Sequence, residues 1–433
     1  MAKNYSAVHE NHRRPRVVIT GMGAITPLGL NVAEFWQGLL EGRSGIGRIT
    51  QFDPTGFACQ IAGEVKGFDP AHFMDPKEAR RMARCSQIAL GAAAEAVSDS
   101  GLPLPFENPE RVGVYFGTAI GGFERAFEEF QVLYTPRGAN GISPFAGPAS
   151  IPNMTAFHIT QRYHALGPNA TIVTACATGT QAVGEGTEFI RRGSAEVILC
   201  GGSEAFIRDF GLGGFAAMRA LPLNFNDRPE KASRPFDRDR EGFVLSEGAG
   251  VLVLERLEHA LSRGAHIYAE VLGHASSSDA HHMAAPDPTA EGAMRAMRWA
   301  LNDAGVTPDE VDYINAHGTS TPANDAVETI AIKKLFGESA YNIPISSTKS
   351  MMGHPMGASG ALEAIVCALT IQTGWIHPTI NYETPDPVCD LDYVPNAARR
   401  AEVNVALSNS FGLGGQNACL VLGKYQPSNA TDY

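Results

Sequence analysis

The chain has 433 residues, of which 44% are hydrophobic and 18% are charged, and its formal net charge is −12. The low charged fraction excludes a disordered chain, and the length predicts two or more domains. The acidic balance argues against nucleic acid as the main partner, although a local basic patch stays possible. Seven scattered cysteines without a C-x-x-C pair favour reduced thiols in a cytoplasmic protein and give no zinc-site signature.

The first segment of the chain, residues 1–15, is predicted to be a flexible lead. It lacks the apolar stretch that a signal peptide needs. Nowhere do about 18 apolar residues follow one another, so the sequence predicts neither a membrane-spanning segment nor a membrane partner. Residues 425–433 are predicted to form a C-terminal tail.

Between these ends, apolar strands alternate with helices. In chain order the pattern predicts a strand at 14–23, helices at 32–42 and 75–101, strands at 111–122 and 169–175, a helix at 178–193, a strand at 195–205 and a strand–helix pair at 248–264. It then predicts a strand at 267–279, a helix at 289–305, a strand at 311–319, helices at 324–337 and 361–374, and a strand pair at 404–425. This alternation predicts an α/β fold with mostly parallel sheets, divided into two similar halves, 16–260 and 261–424.

Cys176 lies where an apolar, β-branched strand ends and a helix is predicted to begin, in the stretch IVTACATGT. The unpaired N–H groups and partial positive charge of a helix N-terminus lower the pKa of a thiol and can hold an oxyanion. We therefore expect Cys176 to be a nucleophile; the alternative is a small buried cysteine.

Two histidines in loops rich in glycine, serine and threonine are candidate partners of this cysteine. His317 follows a short apolar strand in NAHGTSTP, and His354 lies five residues after Lys349, before a predicted helix that contains Glu363. Each histidine alone could be structural, but together with the cysteine they indicate one active site. The glycine-rich stretch SNSFGLGGQN around Phe411 is either a lid over a pocket or an ordinary hairpin turn.

These stretches together resemble the β-ketoacyl-acyl carrier protein synthases, of the elongating type often called synthase II. The resemblance covers residues 16–424 and rests on five motifs in the family's order: TACATGTQAVGEG, SRPFDRDREGFVLSEGAG, NAHGTSTPANDAVE, STKSMMGHPMGASGALEA and SNSFGLGGQNACLVL. It implies the thiolase-like fold, with two similar halves forming a layered αβαβα core, and a homodimer. Histidine at both partner positions indicates the elongating type, since the initiating type pairs the cysteine with one histidine and one asparagine.

The resemblance implies a decarboxylative Claisen condensation of acyl- and malonyl-acyl carrier protein in fatty acid elongation, giving a 3-oxoacyl product and carbon dioxide. The implied catalytic residues are Cys176, His317, His354, Lys349, Glu363 and Phe411. The cysteine would carry the acyl group, and its own N–H and that of Phe411 would hold the acyl oxygen. The histidines would stabilise the enolate, while the lysine–glutamate pair would orient them. No metal or other cofactor is implied, because decarboxylation drives the reaction and phosphopantetheine arrives on the carrier protein.

The resemblance also implies substrate contacts. Thr319 and Thr321 would bind the phosphopantetheine arm, and Ile120 would line the far end of an acyl tunnel. Phe411, the lid residue, would also contact the substrate. The residues implied to dock the acidic carrier protein are Lys77, Arg80, Arg81 and Arg219. The first three are expected on one helix face, for which a solvated basic surface is the alternative.

Several alternatives stay open at this point. A ketosynthase of a polyketide or specialised-lipid pathway would share the chemistry, and a subunit that binds carrier protein without condensing would share the fold. A degradative thiolase is disfavoured, because the C-terminal glycine-rich loop has no second cysteine. Asp325 and Glu328 either orient Lys349 or cap a helix.

Overall fold

A computed structural model describes residues 14–427, so most of the predicted lead, 1–15, and of the predicted tail, 425–433, lies outside the described residues. The strands are β1 (Val17–Ile25), β2 (Ile46–Arg48), β3 (Ile61–Gly63), β4 (Val112–Gly117), β5 (Asn169–Ala170), β6 (Val197–Glu204), β7 (Gly248–Arg256), β8 (Ala269–Ser278), β9 (Tyr313–Asn315), β10 (Ile345–Ser346), β11 (Trp375–Ile376), β12 (Arg399–Arg400), β13 (Val405–Gly412) and β14 (Gln416–Gly423). The helices are α1 (Val32–Leu40), α2 (Pro76–Ala79), α3 (Arg84–Ser100), α4 (Phe123–Leu133), α5 (Ala146–Ser150), α6 (Met154–Tyr163), α7 (Thr178–Arg191), α8 (Asp209–Ala217), α9 (Leu257–Ser262), α10 (Glu291–Ala304), α11 (Pro322–Phe336), α12 (Lys349–Met352) and α13 (Ser359–Thr373).

The large sheet has an internal symmetry. Its strand order is β10-β9-β13-β14-β8-β1-β7-β6-β4-β5. Outward from the centre, β1-β7-β6-β4-β5 and β8-β14-β13-β9-β10 each show two antiparallel pairings followed by two parallel ones. The two series meet through only two residue pairs, Val18 with Glu270 and Ile19 with Ala269. The predicted α/β class with two similar halves is confirmed, but the prediction of mostly parallel sheets is wrong, since strand direction depends on partners far apart in the chain.

Helices divide this sheet into layers. Helix α3 packs on β1 and β7 of the first half, and α10 packs on β8 and β14 of the second. Between the halves lie α7 and α13, which contact each other and strands of both halves. The layers are therefore helices, sheet, helices, sheet, helices, and the predicted αβαβα core is confirmed.

The two central helices approach each other so closely that side chains are excluded at their starts. A Cβ on Gly179 would lie 2.6 Å from the backbone nitrogen of Ala361, and one on Gly360 would lie 2.4 Å from that of Thr180. No real side chain tolerates such distances, so glycine is required at both positions. The first turns of α7 and α13 are thus locked together.

The long helix predicted at 75–101 is interrupted in the structure. Helix α2 ends at Ala79 and α3 begins at Arg84, with a turn between them. The Arg84 guanidinium binds the buried Glu247 carboxylate through Nε and Nη2, both at 2.8 Å, and its backbone N–H donates to Glu124. These long-range contacts fix the start of α3 and override the local helical pattern.

One segment, residues 356–373, is long and apolar enough to cross a membrane by length and composition alone, with a hydropathy of 1.2. It contains α13, and 83% of it is buried inside the protein. A buried core helix passes the same test, so this segment is weak support for a membrane span.

Candidate active site

Cys176 lies at the strand-to-helix junction that the sequence predicted. A short 3-10 turn, Ala175–Ala177, leads directly into α7, and Cys176 is buried in it. Ala175 has φ 50°, a left-handed conformation that costs free energy for a residue with a Cβ. Such strain persists only where the surrounding packing imposes it, so the position of the cysteine is fixed by its neighbours.

His354 is the immediate partner of this sulfur. Its Nε2 atom lies 3.1 Å from the Cys176 Sγ, and its Nδ1 atom lies 2.9 Å from the Oγ of Ser359, the first residue of α13. Burial and the ammonium of Lys349 hold the pKa of His354 well below its ordinary value of 6.5. The ring is therefore neutral at physiological pH, and one of its nitrogens can accept a proton.

His317, which follows β9, lies beside Cys176 and His354 as the third residue of this site. Its ring centroid lies 5.4 Å from that of His354 and 5.7 Å from that of Phe411. The carboxylate of Glu328 accepts the backbone N–H groups of His317 and Gly318, both at 2.8 Å, which fixes the loop. Burial holds the pKa of His317 well below 6.5 as well, with Lys349 adding to the effect, so this ring is also neutral.

Lys349 and Glu363 form a buried ion pair beneath these rings. The Nζ of Lys349 donates to the Oε1 of Glu363. Burial raises the pKa of Glu363 to about 7, and the neighbouring ammonium opposes this rise. Among the described residues, neither side chain hydrogen-bonds a histidine ring. The predicted orienting role is therefore not one of direct contact: Ser359 contacts the ring of His354, and the lysine acts through its charge.

The thiol itself is less acidic than the helix N-terminus suggested. Burial raises the pKa of Cys176 to about 11, against the effect of the Lys349 ammonium. The expectation of a lowered pKa is wrong, because loss of solvation outweighs the favourable charges. At neutral pH the sulfur holds its proton, and it becomes a nucleophile only when a neighbouring base, here His354, takes that proton.

The glycine-rich turn that follows β13 packs directly on the cysteine. A Cβ on Gly412 would lie 3.3 Å from the backbone nitrogen of Cys176. The backbone N–H groups of Leu413 and of Cys176 itself lower the pKa of this thiol, against the larger effect of burial. Phe411 is paired with Asn417 across the hairpin, and its ring packs on His317. The role expected of the Phe411 N–H, to hold the acyl oxygen, stays a prediction.

A cavity of about 400 Å³ connects this group to the surface. Its walls include Cys176, His317 and His354, and towards the surface Thr319, Thr321 and Arg219. The two threonine hydroxyls are 2.9 Å apart, and that of Thr321 caps the N-terminus of α11. The cavity is lined by polar and apolar groups and contains a thiol with a base beside it. This arrangement suits acyl transfer to sulfur.

Two comparisons place the chain among known proteins. Residues 14–260 match the family model "Beta-ketoacyl synthase, N-terminal domain", and residues 268–383 match "Beta-ketoacyl synthase, C-terminal domain". The chain belongs to the β-ketoacyl synthase family. It is 50% identical over 416 residues to the 3-oxoacyl-[acyl-carrier-protein] synthase 2 of Synechocystis, covering 96% of this chain and all of that protein. The enzyme of the same name from Coxiella burnetii is 50% identical over 409 residues, 94% of this chain and 98% of that protein.

Solved structures confirm the thiolase-like fold of this synthase. A β-ketoacyl synthase from Burkholderia phymatum superposes with a TM-score of 0.88 at 35% identity, covering 95% of this chain and all of that one. The ketosynthase/chain length factor of ishigamide gives 0.87 at 39% identity with the same coverage. A ketosynthase bound to a hexaketide, in complex with its type II PKS acyl-carrier protein, gives 0.88 at 36% identity, covering 96% and 100%.

The structure separates the predicted docking residues of the synthase. Lys77 lies in α2, whereas Arg80 and Arg81 follow it in the turn before α3, so the three do not share a helix face as expected. All three are exposed, and the guanidinium of Arg81 lies 4.5 Å from the ring centroid of Phe145. Arg219 is exposed at the rim of the cavity.

Other predicted residues lie further from the sulfur of the synthase. Ile120 follows β4 and packs in an apolar cluster with Met356, but it does not line the 400 Å³ cavity. Asp325 accepts the backbone N–H of Phe236 and lies 3.5 Å from the guanidinium of Arg240. Among the described residues, neither Asp325 nor Glu328 contacts Lys349. Glu328 instead orients the backbone of the histidine loop.

By distance, two groups of described residues could hold a metal ion: Cys176, His317 and His354, and Glu188, His274 and Asp303. In the first group the sulfur and an imidazole nitrogen are in hydrogen-bond contact, as a nucleophile and its base require. In the second, the guanidinium of Arg191 already binds both carboxylates, at 2.9 and 3.1 Å. We interpret the first group as catalytic and the second as a salt bridge.

Sequence reasoning missed two residues of this site. Ser359 contacts the ring of His354, and it could have been suspected, since a serine at a helix start near a histidine is well placed to bond its ring. The other is Glu204, whose charge raises the pKa of Cys176. Glu204 is the last residue of an apolar strand, where an acidic residue is unusual unless its carboxylate is hydrogen-bonded.

Proposed function

We propose that this synthase is a 3-oxoacyl-[acyl-carrier-protein] synthase of fatty acid elongation. It condenses acyl-carrier protein with malonyl-carrier protein and yields 3-oxoacyl-carrier protein, carbon dioxide and free carrier protein. The observation that carries the proposal is the 3.1 Å contact between Cys176 and His354 at the end of a cavity that also contains His317. Relatives with 50% identity over nearly the whole chain are named for this reaction.

In the first half-reaction, the acyl group moves to the cysteine. The Nε2 of His354 takes the thiol proton, and the sulfur attacks the carbonyl carbon of the acyl thioester. We expect the N–H groups of Cys176 and Phe411 to hold the negative oxygen that forms. The bond to the carrier's sulfur then breaks, that sulfur takes the proton from the imidazole, and the free carrier leaves.

In the second half-reaction, the malonyl group loses its carboxylate. The bond between the carboxylate and the α-carbon breaks, carbon dioxide leaves, and the electron pair forms an enolate whose oxygen faces the neutral rings of His317 and His354. His317 can donate its one N–H to this oxygen, and His354 does so as the tautomer that carries its proton on Nε2, with Nδ1 accepting from the Ser359 hydroxyl. The enolate carbon attacks the acyl-cysteine and a carbon–carbon bond forms. The Cys176 sulfur leaves as a thiolate and takes a proton from solvent.

This reaction takes its driving force from decarboxylation, so the proposal includes no metal, nicotinamide or flavin. Phosphopantetheine enters on the carrier protein and lies along the cavity past Thr319 and Thr321. The proposed location is the cytoplasm, which fits seven cysteines that are all free and buried.

The proposed carrier-docking surface consists of four exposed basic side chains, Lys77, Arg80, Arg81 and Arg219. Arg219 lies at the rim through which a phosphopantetheine arm must pass to reach the sulfur. Since the whole chain carries a net charge of −12, an acidic carrier is attracted only where positive charge is concentrated.

The proposed assembly is a homodimer through the outer edge of the sheet. Strand β5 is the last strand on this side and has only two residues. The segments flanking it expose large apolar side chains, namely Tyr134, Ile142, Phe145, Ile151, Phe157, Leu166 and Val173. Exposed apolar side chains beside an unpaired strand edge are typical of a contact surface.

The decisive experiment is intact-protein mass spectrometry after mixing with a long-chain acyl-carrier protein, beside Cys176→Ala. We expect a gain of one acyl mass on the wild-type chain only, and its loss once malonyl-carrier protein is added. Absence of any gain would overturn the proposal in favour of a binding subunit. Several condensations on one primer, seen as products lengthened by repeated two-carbon units that keep their oxo groups, would favour a polyketide synthase.

A further inference from the structure

A buried carboxylate that the proposed mechanism does not use, that of Glu204, lies at the end of β6. Its Oε1 accepts the hydroxyl of Thr118 at 3.0 Å. Its Oε2 accepts the backbone N–H of Ala119 at 2.8 Å and that of Gly357 at 3.2 Å. All these donors are neutral, and the side chain is fully buried.

Through these bonds Glu204 joins two segments that are far apart in the chain. The first, residues 118–120, follows β4 and contains Ile120. The second is the 3-10 turn Met356–Ala358, which lies between His354 and the Ser359 hydroxyl that contacts its ring.

The segments joined by Glu204 are in backbone contact. A Cβ on Gly357 would lie 2.5 Å from the nitrogen of Ala119, and one on Gly202 would lie 2.2 Å from the carbonyl oxygen of Gly357. The turn 356–358 also packs on the turn Ala175–Ala177 that carries the nucleophile. A shift of one segment is therefore transmitted to the others.

Glu204 also acts on the nucleophile through its charge. The ionisable groups around the sulfur of Cys176 are Lys349, Glu204, His317, His354 and Glu363. The ammonium of Lys349 lowers the pKa of the thiol, and the carboxylate of Glu204 raises it. Burial raises the pKa of Glu204 itself to about 7, so its charge is present throughout the range in which the thiol ionises.

We propose that Glu204 is a positioning residue: it pins the turn beside His354 to the segment 118–120, and its negative charge there adds to burial in disfavouring the Cys176 thiolate. The effect on the thiol stands independently of the reaction. The effect on condensation rests on the proposed function.

The charge is tested by the pH dependence of Cys176 alkylation with iodoacetamide, followed at the peptide level in Glu204→Gln and wild type. Loss of the carboxylate leaves the ammonium of Lys349 unopposed. The midpoint of the alkylation rate as a function of pH therefore moves to lower pH, and the alkylation rate at pH 8 rises about threefold or more. Glu95→Gln is the matched control, since Glu95 is likewise a carboxyl whose pKa burial raises to about 7, and it should leave the midpoint unchanged.

A second variant covers the case in which Glu204→Gln does not fold. Thr118→Val removes one hydrogen bond to the carboxylate, so Glu204 takes its charge at a higher pH than in wild type. The alkylation rate at pH 8 should therefore rise, by less than in Glu204→Gln, while the midpoint stays where it is. A folded Glu204→Gln chain with a midpoint equal to or above that of wild type, or a folded Thr118→Val chain with no faster alkylation at pH 8, would overturn the charge effect.

Positioning is tested with Glu204→Asp, which keeps the charge but is one methylene too short to hold both segments. We expect its alkylation midpoint to match wild type, while discharge of the acyl-enzyme by malonyl-carrier protein slows about tenfold. Discharge at the wild-type rate would overturn the positioning effect. Should the wild type form no acyl-enzyme, the proposed function fails, but the alkylation profiles still decide whether Glu204 acts on the thiol.

Discussion

The Nε2 atom of His354 lies 3.1 Å from the sulfur of Cys176, and the two residues belong to opposite halves of the chain. Each precedes a central helix, α7 for the cysteine and α13 for the histidine. Because these two helices are locked together at Gly179 and Gly360, the distance between sulfur and imidazole is set by the core of the protein rather than by surface loops.

The two histidines should affect different steps. His354→Ala removes the imidazole that is in hydrogen-bond contact with the sulfur, so acylation of Cys176 at pH 7.5 should fall by about 10²–10⁴-fold. Because the thiol pKa is about 11, part of the rate should return as the pH approaches that value. His317→Ala should acylate nearly normally but fail to discharge with malonyl-carrier protein. Rapid-quench mass spectrometry measures both steps, and equal loss of acylation in the two variants would contradict this division.

Arg219→Glu should weaken carrier docking without harming the chemistry. Reversal of a charge at the cavity rim should raise KM for acyl-carrier protein about fivefold or more and reduce its dependence on salt. With an acyl-pantetheine substrate, which lacks the protein, the rates should stay at the wild-type level. Arg298→Glu, an exposed arginine on α10, is the matched control and should leave KM unchanged. Equal losses with both substrates would show that Arg219 serves the pantetheine arm instead.

Ile151→Asp should disrupt the proposed homodimer. Ile151 is 51% exposed between α5 and α6, and a carboxylate there would have to be desolvated at an apolar interface. Light scattering after gel filtration should change from the mass of two chains to that of one. Leu261→Asp is matched in exposure at 50% but lies on α9, and should keep the dimer mass. A wild-type chain with the mass of a monomer would refute the proposed assembly.

Glu124→Gln should change how stability depends on pH. Burial raises the pKa of Glu124 from 4.5 to about 7. Its contribution to stability is therefore fully present below pH 4.5 and is lost as the pH rises through 7. Glutamine does not titrate, so the variant lacks this loss. Between pH 5 and pH 8, its free energy of unfolding should therefore rise by about 2 kcal/mol relative to that of wild type. Urea titrations at the two pH values measure the difference, and a relative loss would show that the charged carboxylate is stabilised in the fold.

Gly360→Ala should disturb both stability and catalysis. The added Cβ would lie 2.1 Å from the hydroxyl oxygen of Thr180, which forces α13 away from α7. Overpacking of this kind costs about 1–3 kcal/mol, and the displaced histidine should slow acylation. Gly47→Ala is the control, because its Cβ would meet nothing within 4 Å. Thermal melting and the acylation assay together decide the outcome, and an unaffected Gly360→Ala chain would disprove the locking of the two helices.

The sequence identified the chemistry of this site more readily than its electrostatics. Cys176 and both histidines are marked by local patterns: the cysteine and His317 each follow an apolar run, and His354 stands in a glycine-rich loop before a helix. The pKa of the thiol depends on how deeply the rest of the fold buries it, which no local pattern encodes.

Two other features also depend on partners that are distant in the chain. The break between α2 and α3 is imposed by the bond from Arg84 to Glu247, 163 residues later. The ring of Phe411 packs on that of His317, from a different part of the chain, and no local pattern around either residue encodes this contact.

The raised pKa of Cys176 also bears on the survival of the enzyme between turnovers. Peroxide and small electrophiles react with thiolates far faster than with thiols. A buried sulfur that keeps its proton at neutral pH is therefore a poor target for oxidation. Only a molecule that enters the cavity and presents a carbonyl while His354 withdraws the proton meets a reactive cysteine, so the burial that makes the thiol a weak acid also protects it from damage.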